Sequence, residues 1–109
     1  MGMESNLTSL SGDTDMKESD LAFFDLYICG IHEVLWYKGI KDFYYLSVKN
    51  YLAYKQGKKP SDKLFEGTTK AYIEAVKRNP IDAITHINFR CACDLVEVAR
   101  CCADYGTYI

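Results

Sequence analysis

The sequence predicts an all-α fold: a compact four-helix, mainly antiparallel bundle over residues 19–109, behind a flexible acidic and polar tail over 1–18. Three observations carry this expectation. The stretch 61–78 is amphipathic at the helical period. The stretch 80–105 repeats that pattern. Two apolar-rich stretches, 21–38 and 40–56, have the length of helices. A chain of 109 residues makes one domain.

The tail has few large apolar side chains to offset the entropy of ordering it. Ser19 and Asp20 offer an N-cap before Leu21. From Leu21 to Lys38 the wheel is apolar almost all round, with Asp25, His32 and Glu33 as a narrow polar strip, which reads as a central helix. From Ile40 to Gln56, Phe43, Tyr44, Val48, Tyr51, Leu52 and Tyr54 spread over more than half the wheel. Strand formers compete here. An α+β alternative places a β-hairpin near 33–48, turning at Lys38-Gly39-Ile40-Lys41 and packed on the two C-terminal helices.

The third helix opens at Ser61 as N-cap, gathers Leu64, Phe65, Thr68, Ala71, Tyr72, Ile73, Ala75 and Val76 on one face, and ends at Arg78-Asn79-Pro80. The fourth runs from Pro80 to Tyr105. Ile84, Ile87, Cys91, Leu95, Val98, Cys102 and Tyr105 fall on the apolar face, and Gly106 stops it. Leu21, Phe24, Ile28, Ile31, Leu35 and Phe43 complete the expected core.

Composition excludes disorder, collagen-like repeats and a generic polyanion binder, since 49% of residues are hydrophobic and the net charge is −2. That small charge conceals segregation: acidic over 1–38, basic over 39–78, acidic again over 79–109. No apolar run suits a secretion signal or a membrane span, and five cysteines without a C-x-x-C pair suggest free thiols in a reducing, cytoplasmic setting. Cys91 and Cys102 are expected in the core, Cys93 and Cys101 toward the polar edge, where a reactive thiol would sit.

No Gly-rich phosphate loop, GxSxG or HExxH is present, so the expectation is a non-enzymatic protein without a cofactor. Tyrosines then carry the functional reading. Tyr27, Tyr37, Tyr44, Tyr45, Tyr51 and Tyr54 cluster with Trp36, and such rings favour interfaces. Lys49, Lys55, Lys58, Lys59 and Lys63 form a basic patch beside them. The chain is thus expected to be a regulator, adaptor or inhibitor acting through a protein partner or as a homodimer. The alternative is a ligand- or metal-binding bundle using His and Cys, with His86, Cys93 and Glu97 along one helical face as weak metal candidates. Asp25 and His32 form a second polar pair, most simply a hydrogen-bonded seam. Nucleic-acid binding through the lysines and tyrosines is a further alternative. The final Gly106-Thr107-Tyr108-Ile109 matches a loose PDZ-ligand pattern, but folding back onto the domain is the simpler expectation.

Overall fold

The structure is a computed structural model that describes residues 1–32 and 37–109. It is α+β, and corrects the all-α bundle. Strands β1 (Gly2–Asn6), β2 (Leu26–Gly30) and β3 (Ala83–Ile84) form a parallel sheet in the order β1-β2-β3. A short 3-10 helix, Glu18–Phe23, precedes β2. Between β2 and β3 lie α1 (Ile40–Asp42), a π-helical stretch (Phe43–Lys49), α2 (Asn50–Gln56) and α3 (Asp62–Arg78). Helix α4 (Leu95–Tyr105) follows β3 and packs on α3. Among the described residues no helix is long and apolar enough to cross a membrane.

The apolar-all-round stretch after Leu21 is central, but as a strand. Strand β2 is paired on both sides, and Tyr27, Cys29, Gly30 and the following Ile31 are buried, while Leu26 at its start is 43% exposed. Parallel strands covered on both faces read as continuous apolar runs, and β2 has one in Leu-Tyr-Ile-Cys. Its periodicity alone does not distinguish it from a buried helix until the pairing is known. Asp82 ties the third strand on: its carboxylate accepts from the Tyr27 backbone N–H at 2.7 Å, and its own N–H donates to the Tyr27 carbonyl at 2.8 Å.

The expected flexible tail is instead strand β1 and an ordered loop. Ladder hydrogen bonds to β2 hold its polar sequence, Ser5 is fully buried, and Leu7 is 1% exposed in the core. Asp13 fastens the loop. It accepts from Ser9 Oγ at 2.6 Å, from Lys38 Nζ at 3.0 Å and from Arg78 Nη2 at 3.4 Å. Gly12, at φ 87°, presses on α3, where a Cβ would stand 2.4 Å from the Ala75 nitrogen.

The hairpin alternative fails over its second arm, because 40–48 is helical. Its first arm falls largely on residues 33–36, including Leu35 and Trp36, which lie outside the described residues. Helix α3 matches expectation: Ser61 Oγ caps it by accepting from the Leu64 N–H at 3.2 Å, and Leu64, Tyr72 and Val76 are buried.

The single helix over 80–105 is wrong. It is interrupted by β3 and by a loop in which His86, Asn88 and Arg90 have φ of 33°, 66° and 60°, values no right-handed helix contains. The true helix starts at Asp94, whose carboxylate accepts from the Glu97 N–H at 3.0 Å. The changed register leaves Leu95 45% and Tyr105 55% exposed, and Phe43, at the start of the π-helical stretch, is 41% exposed, whereas Ile31, Ile84, Cys91, Val98 and Cys102 are buried as expected. Leu21, Phe24, Ile28, Phe65 and Ile87 are half-buried. Gly106 ends α4 in the left-handed conformation. The final segment does fold back: Tyr108 bridges Ala83, and Thr107 Oγ1 donates to the Ile81 carbonyl at 3.0 Å. All five cysteines are free and buried, so Cys93 and Cys101 are not at a polar edge. Burial pushes the Cys93 thiol up to about 11.

Two outcomes test this packing. Leu7→Ala will destabilise the chain by about 2–5 kcal/mol, and Leu95→Ala by no more than about 0.5 kcal/mol, read from urea midpoints. A flexible tail would make Leu7→Ala silent. The Ser9 hydroxyl first, then Lys38 and Arg78, hold the Asp13 carboxyl below its ordinary range. A depressed carboxyl stabilises the fold above its unfolded pKa, and that contribution fades as pH falls through the folded value. Asp13→Asn will therefore lower stability near pH 7. Between about pH 5 and pH 2 it will lose less further stability than the native chain.

Candidate metal centre

Parallel pairing sets the carboxyl ends of the three strands side by side, the edge of an open α/β sheet at which ligands gather. His32 follows β2 by two residues and His86 follows β3 by two, and both meet Glu4 of β1 there. His32 Nε2 lies 3.2 Å and His86 Nε2 3.4 Å from Glu4 Oε1, and the two Nε2 atoms are 3.0 Å apart. The imidazoles meet edge to face, with centroids 4.7 Å apart.

These spacings suit a cation. Zinc–ligand bonds of about 2.0–2.1 Å in a tetrahedron place neighbouring donor atoms about 3.3 Å apart. The three measured separations describe one face of such a polyhedron. Two imidazoles and one carboxylate are also a donor set for a first-row divalent ion that keeps open positions for water and substrate. Thr85 completes the carboxylate's setting, donating from Oγ1 to Glu4 Oε1 at 2.7 Å. That hydrogen bond first, and the two imidazoles after it, keep the Glu4 carboxyl below its ordinary range, so it stands ready as an anionic ligand. Around His32 the support is partial. Tyr37 Oη donates to its backbone carbonyl at 2.9 Å, while its Nδ1 is buried with no partner among the described residues.

Gly30 makes the convergence possible. A Cβ there would lie 2.5 Å from Thr85 Oγ1, 2.9 Å from His86 Cε1 and 3.2 Å from His32 Cε1. Beside the triad opens a cavity of about 180 Å³, bounded by Ile31, Leu46, Ser47, Tyr51, Phe89 and Arg90 as well as both histidines. Leu46 and Ser47 come from the π-helical stretch, a departure from α geometry that recurs at functional sites.

The residues singled out in the sequence scatter. Cys93 is buried, and Glu97 lines a separate groove with Phe65 and Glu66, so neither joins His86. Asp25 is exposed at the opposite, amino-terminal end of β2 from His32. Tyr27 is in the core, its hydroxyl paired with that of Thr14. Tyr44 and Tyr45 sit under Lys49, with Lys63 over Tyr45, at 5.1–5.6 Å from ring centres. Lys55 pairs with Tyr51, Lys58 lines a second cavity with Tyr54, and Lys59 is exposed. Trp36 lies outside the described residues. Glu4 was hidden in the apparent tail. Histidines placed just after short apolar runs, Leu26–Ile31 and Ala83–Ile84, were the available signal.

Two curated relatives, from Shewanella baltica strains OS195 and OS223, are each named "probable phosphatase". Each is 29% identical over 106 residues, covering 96% of this chain and 32% of the relative. The chain thus spans about a third of the length of the curated relatives it matches. No family model matches it. These likenesses are to proteins named as enzymes, and they correct the expectation of a non-enzymatic regulatory interaction protein.

Gly30→Ala tests the geometry. It will weaken divalent-metal binding by roughly 10-fold or more while the circular dichroism spectrum stays native. Unchanged affinity would show that the triad does not need the close approach of β2 and β3.

Proposed function

We propose that this chain supplies the metal-binding part of a phosphatase that hydrolyses phosphate monoesters. The observation that carries the reading is the Glu4–His32–His86 triad, with donor atoms at coordination spacing at the carboxyl edge of the sheet. The names of the Shewanella baltica relatives support it. A divalent ion in such a site makes bound water acidic near neutral pH and offsets charge on phosphoryl oxygens.

The residues divide the remaining work. Glu4 and the two histidines hold the ion by Oε1 and Nε2. Thr85 fixes the carboxylate's orientation. Arg90, which lines the same cavity as the imidazoles, brings a permanent positive charge to the phosphoryl oxygens, on which charge grows in the transition state. In the overall reaction the water oxygen bonds to phosphorus as the ester P–O bond breaks. The alcohol leaves with a proton from water, and inorganic phosphate remains.

Metal-stripped protein titrated with Zn²⁺ or Mn²⁺ will bind with Kd in the micromolar range or below, and His86→Ala will lose that binding. Phosphate release from a panel of phosphate monoesters will depend on added metal and vanish in His86→Ala. Metal-independent release, or full activity in His86→Ala, would overturn the assignment.

A further inference from the structure

Metal binding and phosphoryl transfer leave one wall of the cavity unused, and that wall is aromatic. Tyr51 of α2 and Phe89 of the β3–α4 loop line it. Tyr54 stands with its ring 6.1 Å from that of Phe89, and Phe89 lies 6.5 Å from the His86 ring. Tyr51, Tyr54 and Phe89 are 40%, 53% and 55% exposed, a cluster of large rings facing solvent around a concave site.

The loop geometry holds Phe89 there. Its neighbours Asn88 and Arg90 are both left-handed, its N–H donates to the His86 carbonyl at 3.1 Å, and Asn88 Oδ1 accepts from the Cys93 N–H at 3.1 Å. The Arg90 guanidinium rests 5.3 Å from the Phe89 ring centre and 5.4 Å from that of Tyr54. Arg90 also joins the first cavity to a second of about 380 Å³ that Tyr54 and Lys58 line. The two cavities that share Arg90 thus bring the Glu4–His32–His86 triad, a cation and a set of exposed rings together.

We infer that the substrate is a phosphate monoester whose leaving group carries a planar aromatic ring, of the nucleoside monophosphate type. Its phosphate lies between Arg90 and the triad, and its ring lies against Phe89 and the two tyrosines. This rests on the phosphatase reading above. Every nucleobase has a π face, so stacking accepts different bases, and the arginine beside the rings adds attraction to both parts of such a molecule. A small polar ester, such as glycerol 3-phosphate, fills only the charged half.

The test is calorimetric binding to the full chain in the presence of Mn²⁺, with adenosine monophosphate and glycerol 3-phosphate as probes, alongside phosphate release from both. Adenosine monophosphate will bind about 10-fold or more tightly than glycerol 3-phosphate. Phe89→Ala will bring that ratio near one, and Phe89→Tyr, which keeps a ring, will retain it. Equal affinities in the native chain, or an unchanged ratio in Phe89→Ala, overturn the ring site. The two readings fail separately. Equal binding with metal-dependent release from both esters removes the ring site and leaves the phosphatase. A Phe89-dependent preference without release leaves the ring site and removes the phosphatase.

Discussion

Strand β2 is paired in parallel on both edges, and the site depends on that pairing. The register sets Ser5, Cys29 and Ile84 abreast, so the residues that follow β2 and β3 emerge at one edge. Glu4 reaches the same place from within β1. Residues 4, 32 and 86 are distant in sequence, yet their ligand atoms converge. The clasp between Asp82 and the Tyr27 backbone secures the shortest strand, and with it the position of His86.

The helices serve that sheet. Helix α3 buries Tyr72, Ala71, Ala75 and Val76 in the core shared with Leu7, Cys29 and Ile84. The helical run from Ile40 to Gln56 carries Leu46 inward and presents Ser47 and Tyr51 to the cavity. Buried Asn50 steadies it, donating to the Leu46 carbonyl at 3.2 Å and to Thr68 Oγ1 of α3 at 3.3 Å. Such bonds convert a polar side chain in the interior from a cost into a fixed orientation.

Local signals were legible and pairing was not. Ser61, Arg78-Asn79-Pro80 and Gly106 marked true helix boundaries, because capping is decided within a few residues. Asp94 and Glu97 form an equally local capping signature, which the longer apolar periodicity from Ile84 through Cys91 obscured. Strand β1 was invisible because Gly-Met-Glu-Ser-Asn has no strand-like composition and owes its form to the neighbouring ladder. The site was illegible for the same reason: it exists only once three strands are in register. Two of its three converging side chains stood out as the chain's two histidines, each assigned to the wrong companions.

The loop after β3 places stability and chemistry in opposition. Non-glycine residues held at left-handed φ cost about 1–3 kcal/mol each, and His86, Asn88 and Arg90 are three of them within five positions. Selection for thermal resistance alone would favour glycine at each position, since glycine adopts that backbone without steric strain. At 86 the gain would remove a ligand atom, and at 90 the cation beside the aromatic wall. A lineage that retained histidine and arginine there would have kept a less stable loop for the sake of what it holds, and a stabilised variant of this chain would best leave that loop alone and improve α3 or α4 instead.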